Sequence, residues 1–472
     1  MAPRPVQLEA LAKGYGLPGF AYLMRQRLGK TLTAYAEFCM LREAKEVDWL
    51  IVICPNSLKA QWAGEIQKAD PLELVCVYNS SDKETEKYFF RKNKRGGVLI
   101  INYESINSYT KDLRPPINMS KVYIAADEST KIKRWENKST KACIALADKC
   151  KYKRVLTGRP TANSNLDVWA QLRFIGATTR NYHQHKFTFC LMGGYMAKSV
   201  VANQNTDMLK REMEPYCYIA PDKYMEGFKR VYEPLRKVEL TPELLKSYKS
   251  MEDDLLITIS EGVTSTAPIA LSKFLRLSQV SSGIAGTEDG EQLNLVEPDR
   301  NPRIAALVDL LETECEGKTI IVCRFVLSMK NIQQVLESKG YKVSVLRGGM
   351  DARAIEENKR NFCEGDTTIL IGQSSVLSYG HNLAASDDSP TINTVFFETT
   401  WSLLERAQCE ARGEKLGRDV TISYYDFYSS KIDKYMLSTL IRKEDASIAL
   451  MGYGREFGGR TKESMEVASV DG

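Results

Sequence analysis

Histidine is nearly absent from this chain of 472 residues, with three in all. Its 11 cysteines are scattered, and no two of them form a CxxC pair. A Cys/His zinc cage therefore has little to draw on, and an odd, unclustered set of thiols argues against a disulfide framework. Long apolar runs are missing too. No stretch approaches the roughly 20 residues that cross a bilayer as a helix, and the opening MAPRPVQLEALAKGYG lacks a signal-peptide pattern. A cytoplasmic location with no membrane partner is expected. Tandem repeats and low-complexity tracts are lacking as well. Charge of one sign is scarce: 65 basic and 60 acidic side chains leave +5, which is compatible with polyanion binding without demanding it.

What is present is an ordinary globular composition, 43% hydrophobic and 26% charged, in a chain too long for one compact domain. Apolar runs at Trp49–Cys54, Val98–Asn102, Val122–Ala126 and Arg154–Thr157 each end where a polar or glycine-containing loop begins. That rhythm predicts a parallel α/β sheet with its functional loops at the carboxyl ends of the strands. A second set follows at Thr319–Cys323, Lys342–Leu346, Thr368–Ile371, Thr394–Phe397 and Thr421–Tyr425. It alternates with helical stretches such as Leu327–Lys339 and Ala352–Phe362. Between the two sets the chain is richer in Lys, Glu, Met and Tyr. It reads mostly as helix, at Pro242–Leu256 and Pro268–Val280, with a hinge at Ser282–Asn301. The predicted class is α/β: parallel-sheet lobes over 1–177 and 301–451, a mainly helical insertion and linker over 178–300, and a flexible tail over 452–472.

Four motifs carry chemistry. Leu28-Gly29-Lys30-Thr31 opens a helix after the apolar run Phe20–Met24. There, backbone N–H groups can cradle phosphates, the lysine can reach the β/γ-phosphates and the threonine can ligate Mg²⁺. Met24 stands where a full GxxxxGKT pattern has its first glycine, so an exposed turn with a chance GKT is the alternative. Asp127-Glu128-Ser129-Thr130 follows the run VYIAA. Its aspartate can hold Mg²⁺ and its glutamate can orient water, or the trio can simply cap the next helix. Leu156-Thr157-Gly158-Arg159-Pro160, followed by Asn163, is a strand-ending turn that could relay the nucleotide state or do nothing more than turn the chain. Gln408, Arg412 and Lys415 lie on one charged stretch, which could supply an arginine finger or be a solvated helix face.

Taken together and in order, these motifs resemble superfamily two helicases. Within them the likeness is to the Swi/Snf-type DNA-dependent ATPases, most nearly the compact bacteriophage versions, over about Pro5 to Met451. The resemblance implies two RecA-like lobes joined by a Snf-type insertion, with ATP and Mg²⁺ as cofactors. Gln7 is similar to the upstream glutamine that reads adenine. Gly29, Lys30 and Thr31 match motif I, flanked by Arg27 and Leu28. Asp127 and Glu128 match motif II, with Thr31 and Asp127 implied as Mg²⁺ ligands. Pro55, Asn56, Ser57 and Leu58 with Trp62 resemble motif Ia, and Asn102-Tyr103-Glu104 resembles motif Ib; both are loops that grip a DNA backbone. Gly158, Pro160 and Asn163 fit motif III, Cys323-Arg324-Phe325 motif IV, and Arg347-Gly348-Gly349 a DNA-facing loop. Gly380-His381-Asn382-Leu383 is similar to motif V, and Gln408 with Arg412 fits motif VI. Leu275–Gly283 resembles the helix that precedes the second lobe.

Four positions depart from the pattern: Arg27 for glycine, Arg159 for threonine, His381 for an apolar residue, and Lys415 for the second motif VI arginine. A lysine cannot make the bidentate contact of an arginine. The implied partner is double-stranded or branched DNA, handled by a monomer in replication, recombination or repair, in the host cytoplasm for a phage protein. An RNA-dependent helicase and a non-catalytic DNA-binding factor are the rival readings.

Overall fold

Runs such as WLIVIC need apolar cover on both faces, and Trp49–Cys54 is buried at all 6 positions. The computed structural model describes residues 3–82, 89–90, 93, 96–112, 118–193, 199–225, 228–260, 267–287, 291–378, 383, 391–414 and 420–451. The chain divides into two units. Among the described residues, one runs to Met225 and is joined by Lys443–Met451; the other runs from 228 to Arg442.

In the first unit the described strands are β1 (Gly19–Leu23), β2 (Trp49–Cys54), β3 (Val75–Val77), β4 (Gly97–Asn102), β5 (Val122–Asp127) and β6 (Tyr152–Thr157). An antiparallel hairpin, β7 (Cys190–Gly193) with β8 (Ser199–Asn203), precedes β9 (Cys217–Ile219). The sheet order is β3-β4-β2-β5-β6-β1-β9, and each of its pairings is parallel. The core gathers Ile51, Ile53, Leu99, Ile101, Ile124 and Val155 from the strands, with Leu450 and Met451 from the end of the last helix. Helix Lys30–Glu43 buries Ala34, Phe38 and Leu41, and also Glu37. The Glu37 carboxylate accepts from Tyr22 and Tyr123 hydroxyls at 2.8 Å each and pairs with fully buried Arg154. A buried charge persists only when it is paired and hydrogen-bonded in this way.

The second unit holds β10 (Phe228–Tyr232), β11 (Arg236–Lys237), the hairpin β12 (Ile284–Gly286) and β13 (Gln292–Asn294), then β14 (Lys318–Cys323), β15 (Val343–Leu346), β16 (Ile369–Gln373), β17 (Thr391–Phe396) and β18 (Val420–Tyr428). Its parallel sheet runs β10-β18-β17-β14-β16-β15, with β11 also on β18. Successive residues serve opposite faces: Ile321, Cys323, Val395 and Tyr425 lie in one core cluster, Ile320, Val322, Phe396 and Tyr424 in the other. Asn301 caps helix Pro302–Thr313 and donates to the Ser282 carbonyl at 2.9 Å. Beside it, buried Arg303 donates to Asp433 at 2.6 Å and to the Phe397 carbonyl at 3.1 Å.

The lobes expected from the sequence are present, and so are the helices Pro242–Ser260 and Ala267–Ser281. The stretch read as mostly helical also contains short strands. β9 closes one edge of the first sheet and β10 one edge of the second. Three to five residues at a sheet edge carry too little periodicity to stand out from their surroundings. The expected hinge contains the hairpin β12–β13. The tail 452–472 lies outside the described residues. Among the described residues no two cysteines form a disulfide, no His/Cys/Asp/Glu cluster could hold a metal, and no helix is long and apolar enough to cross a membrane.

Candidate functional site

The loop after β1 is shaped by two left-handed residues, Arg27 at φ 65° and Gly29 at φ 84°. Glycine adopts this conformation freely, and a Cβ on Gly29 would lie 2.5 Å from Gln7 Nε2. Arg27, which stands where the resembling family has glycine, nevertheless takes the glycine-like backbone, at a cost of about 1–2 kcal/mol. Two bonds from helix Pro5–Gly14 and its cap hold the loop: Gln7 Nε2 to the Gly29 carbonyl at 3.1 Å, and Arg4 Nη1 to the Arg27 carbonyl at 2.8 Å. Leu28 is buried beneath it. Lys30 then opens a helix, and its ammonium donates to the Met24 and Arg25 carbonyls at 3.0 and 3.3 Å. Thr31 follows, half-buried.

Asp127 ends β5 and is 6% exposed. Burial pushes its carboxyl up, against the opposing pull of the Lys30 charge and of hydrogen bonds from the Trp62 indole and the Glu128 N–H. The Lys30 charge therefore acts on the Asp127 carboxylate, which links the two motifs electrostatically. Glu128 is left-handed at φ 47°, and its N–H donates to Asp127 Oδ1 at 2.9 Å. A buried carboxylate and a threonine hydroxyl next in sequence to the helix-opening lysine offer hard oxygen donors together with a phosphate-seeking cation. That set fits Mg²⁺ carried on a nucleotide, with Thr31 and Asp127 as the residues that would hold it.

The turn after β6 packs against the same loop. Met24 N donates to the Thr157 carbonyl at 3.1 Å, and a Cβ on Gly158 would stand 3.3 Å from Arg25 Cα. Ser129 Oγ donates to Gln171 Oε1 at 2.8 Å, and Gln171 Nε2 donates to the Pro160 carbonyl at 2.7 Å. The 127–130 and 157–163 segments are thereby tied together. Asp167 accepts the Asn163 N–H at 2.7 Å. The two arginines near this turn each face an acid: Arg25 and Asp222 at 3.1 Å, Arg159 and Glu444 at 3.6 Å.

The sequence-derived backbone-gripping residues divide. Asn56 and Ser57 are exposed just beyond β2, while the Pro55 ring is buried. Asn102 is largely buried and donates to Glu104 Oε2 at 2.8 Å. Tyr103 turns inward, 4% exposed, with its hydroxyl on the Asp127 carbonyl at 2.6 Å.

In the second unit, exposed Gly348 donates its N–H to Gln373 Oε1 at 2.9 Å, beside half-buried Arg347. Gln408 is buried, and so is Arg412, whose Nε donates to the Gln408 carbonyl at 2.8 Å and Nη2 to the Ser378 carbonyl at 3.3 Å. The Arg412 carbonyl accepts the Leu383 N–H at 3.3 Å. Arg412 thus joins both sides of the 379–382 segment. Gly380, His381, Asn382 and Lys415 lie outside the described residues. Within helix Leu403–Glu410, fully buried Arg406 pairs with Glu410 one turn on and with Asp426 on β18. Next to the motif's end, Arg230 pairs with buried Glu414 at 2.6 Å.

Sequence reasoning missed Glu398. Its buried carboxylate accepts the N–H groups of Arg324 and Phe325 at 2.7 and 3.2 Å and the Ser328 hydroxyl at 2.5 Å, fixing the turn that enters helix Val326–Ser338. A glutamate directly after the apolar run VFF was the available signal.

Two family models match the chain. The model of the SNF2-related domain matches residues 26–281, and that of the helicase conserved C-terminal domain matches residues 302–413. The chain is similar to Protein CHROMATIN REMODELING 5 of Arabidopsis thaliana, 22% identical over 441 residues that cover 88% of this chain and 25% of that protein. An uncharacterized ATP-dependent helicase of Mycoplasma genitalium is 22% identical over 415 residues, covering 86% of this chain and 38% of the relative. The chain therefore spans well under half the length of either. Among solved structures, the Sulfolobus solfataricus SWI2/SNF2 ATPase core in complex with dsDNA is 20% identical, with a TM-score of 0.42, covering 96% of this chain and 98% of that one.

Proposed function

The chain belongs to the SNF2-related family, and on that footing we propose that it is a DNA-dependent ATPase, coupling hydrolysis of Mg-ATP to movement along, or remodelling of, double-stranded or branched DNA. One observation carries this reading: Lys30 opens a helix from a left-handed Gly29, and its charge acts on the buried Asp127 carboxylate. The N–H groups at that helix start would receive phosphate oxygens, and Lys30 would exchange the Met24 and Arg25 carbonyls for them. Gln7, already bonded to the loop, would read adenine. Glu128 would orient the attacking water and take up its proton. When bound, the nucleotide's Mg²⁺ supplies neutralisation of the phosphate charge.

Pro55, Asn56, Ser57 and Asn102 on the first unit, and Arg347, Gly348, His381 and Asn382 on the second, are the proposed DNA-backbone residues. Contacts of that kind carry little sequence preference and a strong salt dependence. The burial of Arg412 against two backbone carbonyls supports Lys415 as the charge that meets the γ-phosphoryl group. A single ammonium there would give slower turnover than a guanidinium. The finer setting proposed is a monomer working with replication or recombination proteins on branched DNA, in cytoplasm occupied by a bacteriophage.

The test is ATP hydrolysis with no nucleic acid and with duplex DNA, single-stranded DNA, forked DNA and RNA, alongside Lys30→Ala. Stimulation by duplex or forked DNA that disappears in the variant is the expected result. Stimulation by RNA alone would overturn the DNA assignment. DNA binding without turnover under any condition would identify a clamp instead of a motor, with the substitutions at Arg27 and Lys415 as its cause.

A further inference from the structure

Two aromatic side chains from separate strand-end segments converge on Asp127. The Trp62 indole Nε1–H donates to Asp127 Oδ2 at 2.8 Å, and the Tyr103 hydroxyl donates to the Asp127 carbonyl at 2.6 Å. Trp62 is 1% exposed and Tyr103 4%. Trp62 lies one turn into helix Lys59–Ala69, which starts directly after exposed Asn56 and Ser57 and buried Leu58. Tyr103 directly follows Asn102, the last residue of β4. Strand β2 lies between β4 and β5 in the sheet, so the segments that leave β2 and β4 lie on one side of the end of β5.

A buried indole N–H or phenol needs an acceptor, and almost any backbone carbonyl would do. Here both use the residue assigned to the metal, one on its side chain and one on its backbone. Trp62 and Tyr103 are themselves locked by burial, so neither has a soft rotamer to absorb a displacement. A movement of the 55–58 segment that carries the first turn of helix Lys59–Ala69 must therefore stretch the Trp62 bond or turn the carboxylate. A movement at 102–104 acts in the same way on the Asp127 backbone. Hydrogen bonds weaken steeply when lengthened or bent, so small shifts have energetic weight.

We propose that Trp62 and Tyr103 are positioning residues that couple occupancy of the 55–58 and 102–104 loops by a nucleic-acid backbone to the orientation of Asp127, and so to Mg-nucleotide affinity. The inference rests on the DNA-dependent ATPase reading. It differs from a purely structural role in one measurable respect. Coupling between two sites is reciprocal: DNA must change nucleotide affinity by the same factor as nucleotide changes DNA affinity.

The experiment uses the full chain and a fluorescent non-hydrolysable ATP analogue with Mg²⁺. It is titrated with and without a short duplex, and the duplex is then titrated with and without the analogue. Wild type is expected to show a ratio within about 5–150-fold, equal in the two directions. Trp62→Phe and Tyr103→Phe, the second removing a single oxygen, are expected to bring the ratio to within about threefold of unity. Retention of the wild-type ratio in Tyr103→Phe and Trp62→Phe would overturn the proposal. So would a loss of nucleotide affinity of equal size with and without DNA, because the aromatics would then only shape Asp127. If wild type itself shows neither a ratio different from one nor DNA-stimulated hydrolysis, the parent reading fails and this inference fails with it. DNA-stimulated hydrolysis together with wild-type ratios in both variants sinks the coupling alone.

Discussion

Arg154 and Glu37 form an ion pair in which both side chains are fully buried, one on β6 and the other on the helix that Lys30 opens. Arg154 also reaches the Gly14 carbonyl at 3.1 Å, so the pair ties helix, sheet and N-terminal segment together. Removing one partner leaves the other charged and buried. Arg154→Met should therefore lose about 3–5 kcal/mol of stability. Glu37→Gln, which keeps an oxygen acceptor for Tyr22 and Tyr123, should lose less. Urea unfolding of the two variants checks the ordering, and a loss below about 1 kcal/mol for Arg154→Met would remove this pair from the account of the fold.

Gln7 already spends one amide hydrogen on the Gly29 carbonyl and one oxygen lone pair on the Arg4 N–H, at 3.1 and 2.8 Å. A glutamine amide has two of each, so one donor and one acceptor remain, the pair that adenine N7 and N6 complement. Gln7→Ala is expected to raise the KM for ATP about tenfold, a loss of about 1.4 kcal/mol, and to abolish preference for ATP over GTP. Equal increases in KM for both nucleotides, with the preference kept, would reduce Gln7 to a loop clamp.

His185 gives the first unit an acid-sensitive element. Burial holds its imidazole down to about 4 from an ordinary 6.5, against the hydrogen bond to the Asn165 carbonyl at 3.0 Å. The unfolded chain then binds more protons than the folded one between those values. Stability is thus fully present above about pH 6.5 and falls as pH drops toward 4, by up to about 3 kcal/mol. His185→Gln, which can still donate to the carbonyl, should flatten that part of the profile. Unfolding free energies at pH 7 and pH 5, compared between wild type and variant, measure the difference; parallel slopes would exclude His185 as the source.

Glu398 holds the turn into helix Val326–Ser338 with a carboxylate that is only 2% exposed. Glu398→Ala would leave two backbone N–H groups and the Ser328 hydroxyl without this acceptor, and should cost the second unit about 2–3 kcal/mol. Glu398→Gln retains one oxygen and should recover part of the loss. Thermal unfolding followed by circular dichroism gives the comparison, and equal melting of Glu398→Ala and wild type would remove this carboxylate from the account of the second unit's stability.

Much of the architecture is legible in residue order. WLIVIC, VLIIN and VYIAA are apolar at successive positions because the strands they form are covered on both faces, and such runs cannot be mistaken for solvent-facing structure. β9 and β10 were not legible, since short edge strands take their identity from the neighbour they pair with and not from their own pattern. The same distinction holds in the site. Lys30, Asp127 and Glu128 occupy strand ends and helix starts, where local sequence reports local geometry. Trp62, Gln171, Glu398 and Arg406 act through partners 65, 42, 70 and 20 residues away. No local pattern carries separations of that kind. Tyr103 shows how position can be read and direction missed: it lies at the strand end the motif indicated, with its side chain turned toward the interior.

Because the pairings within both large sheets are parallel, the turns of each unit divide into two populations. Those that leave the strands carry Gly29, Asn56, Glu128 and Gly348. Those that enter them, such as 44–46 before β2, 148–151 before β6 and 339–342 before β15, are mostly exposed and hold none of the candidate groups. The second population is open territory for engineering. A fluorophore, an affinity tag or a short inserted peptide placed at Lys149 or Lys339 would ride on the far rim of its sheet and leave the working rim untouched.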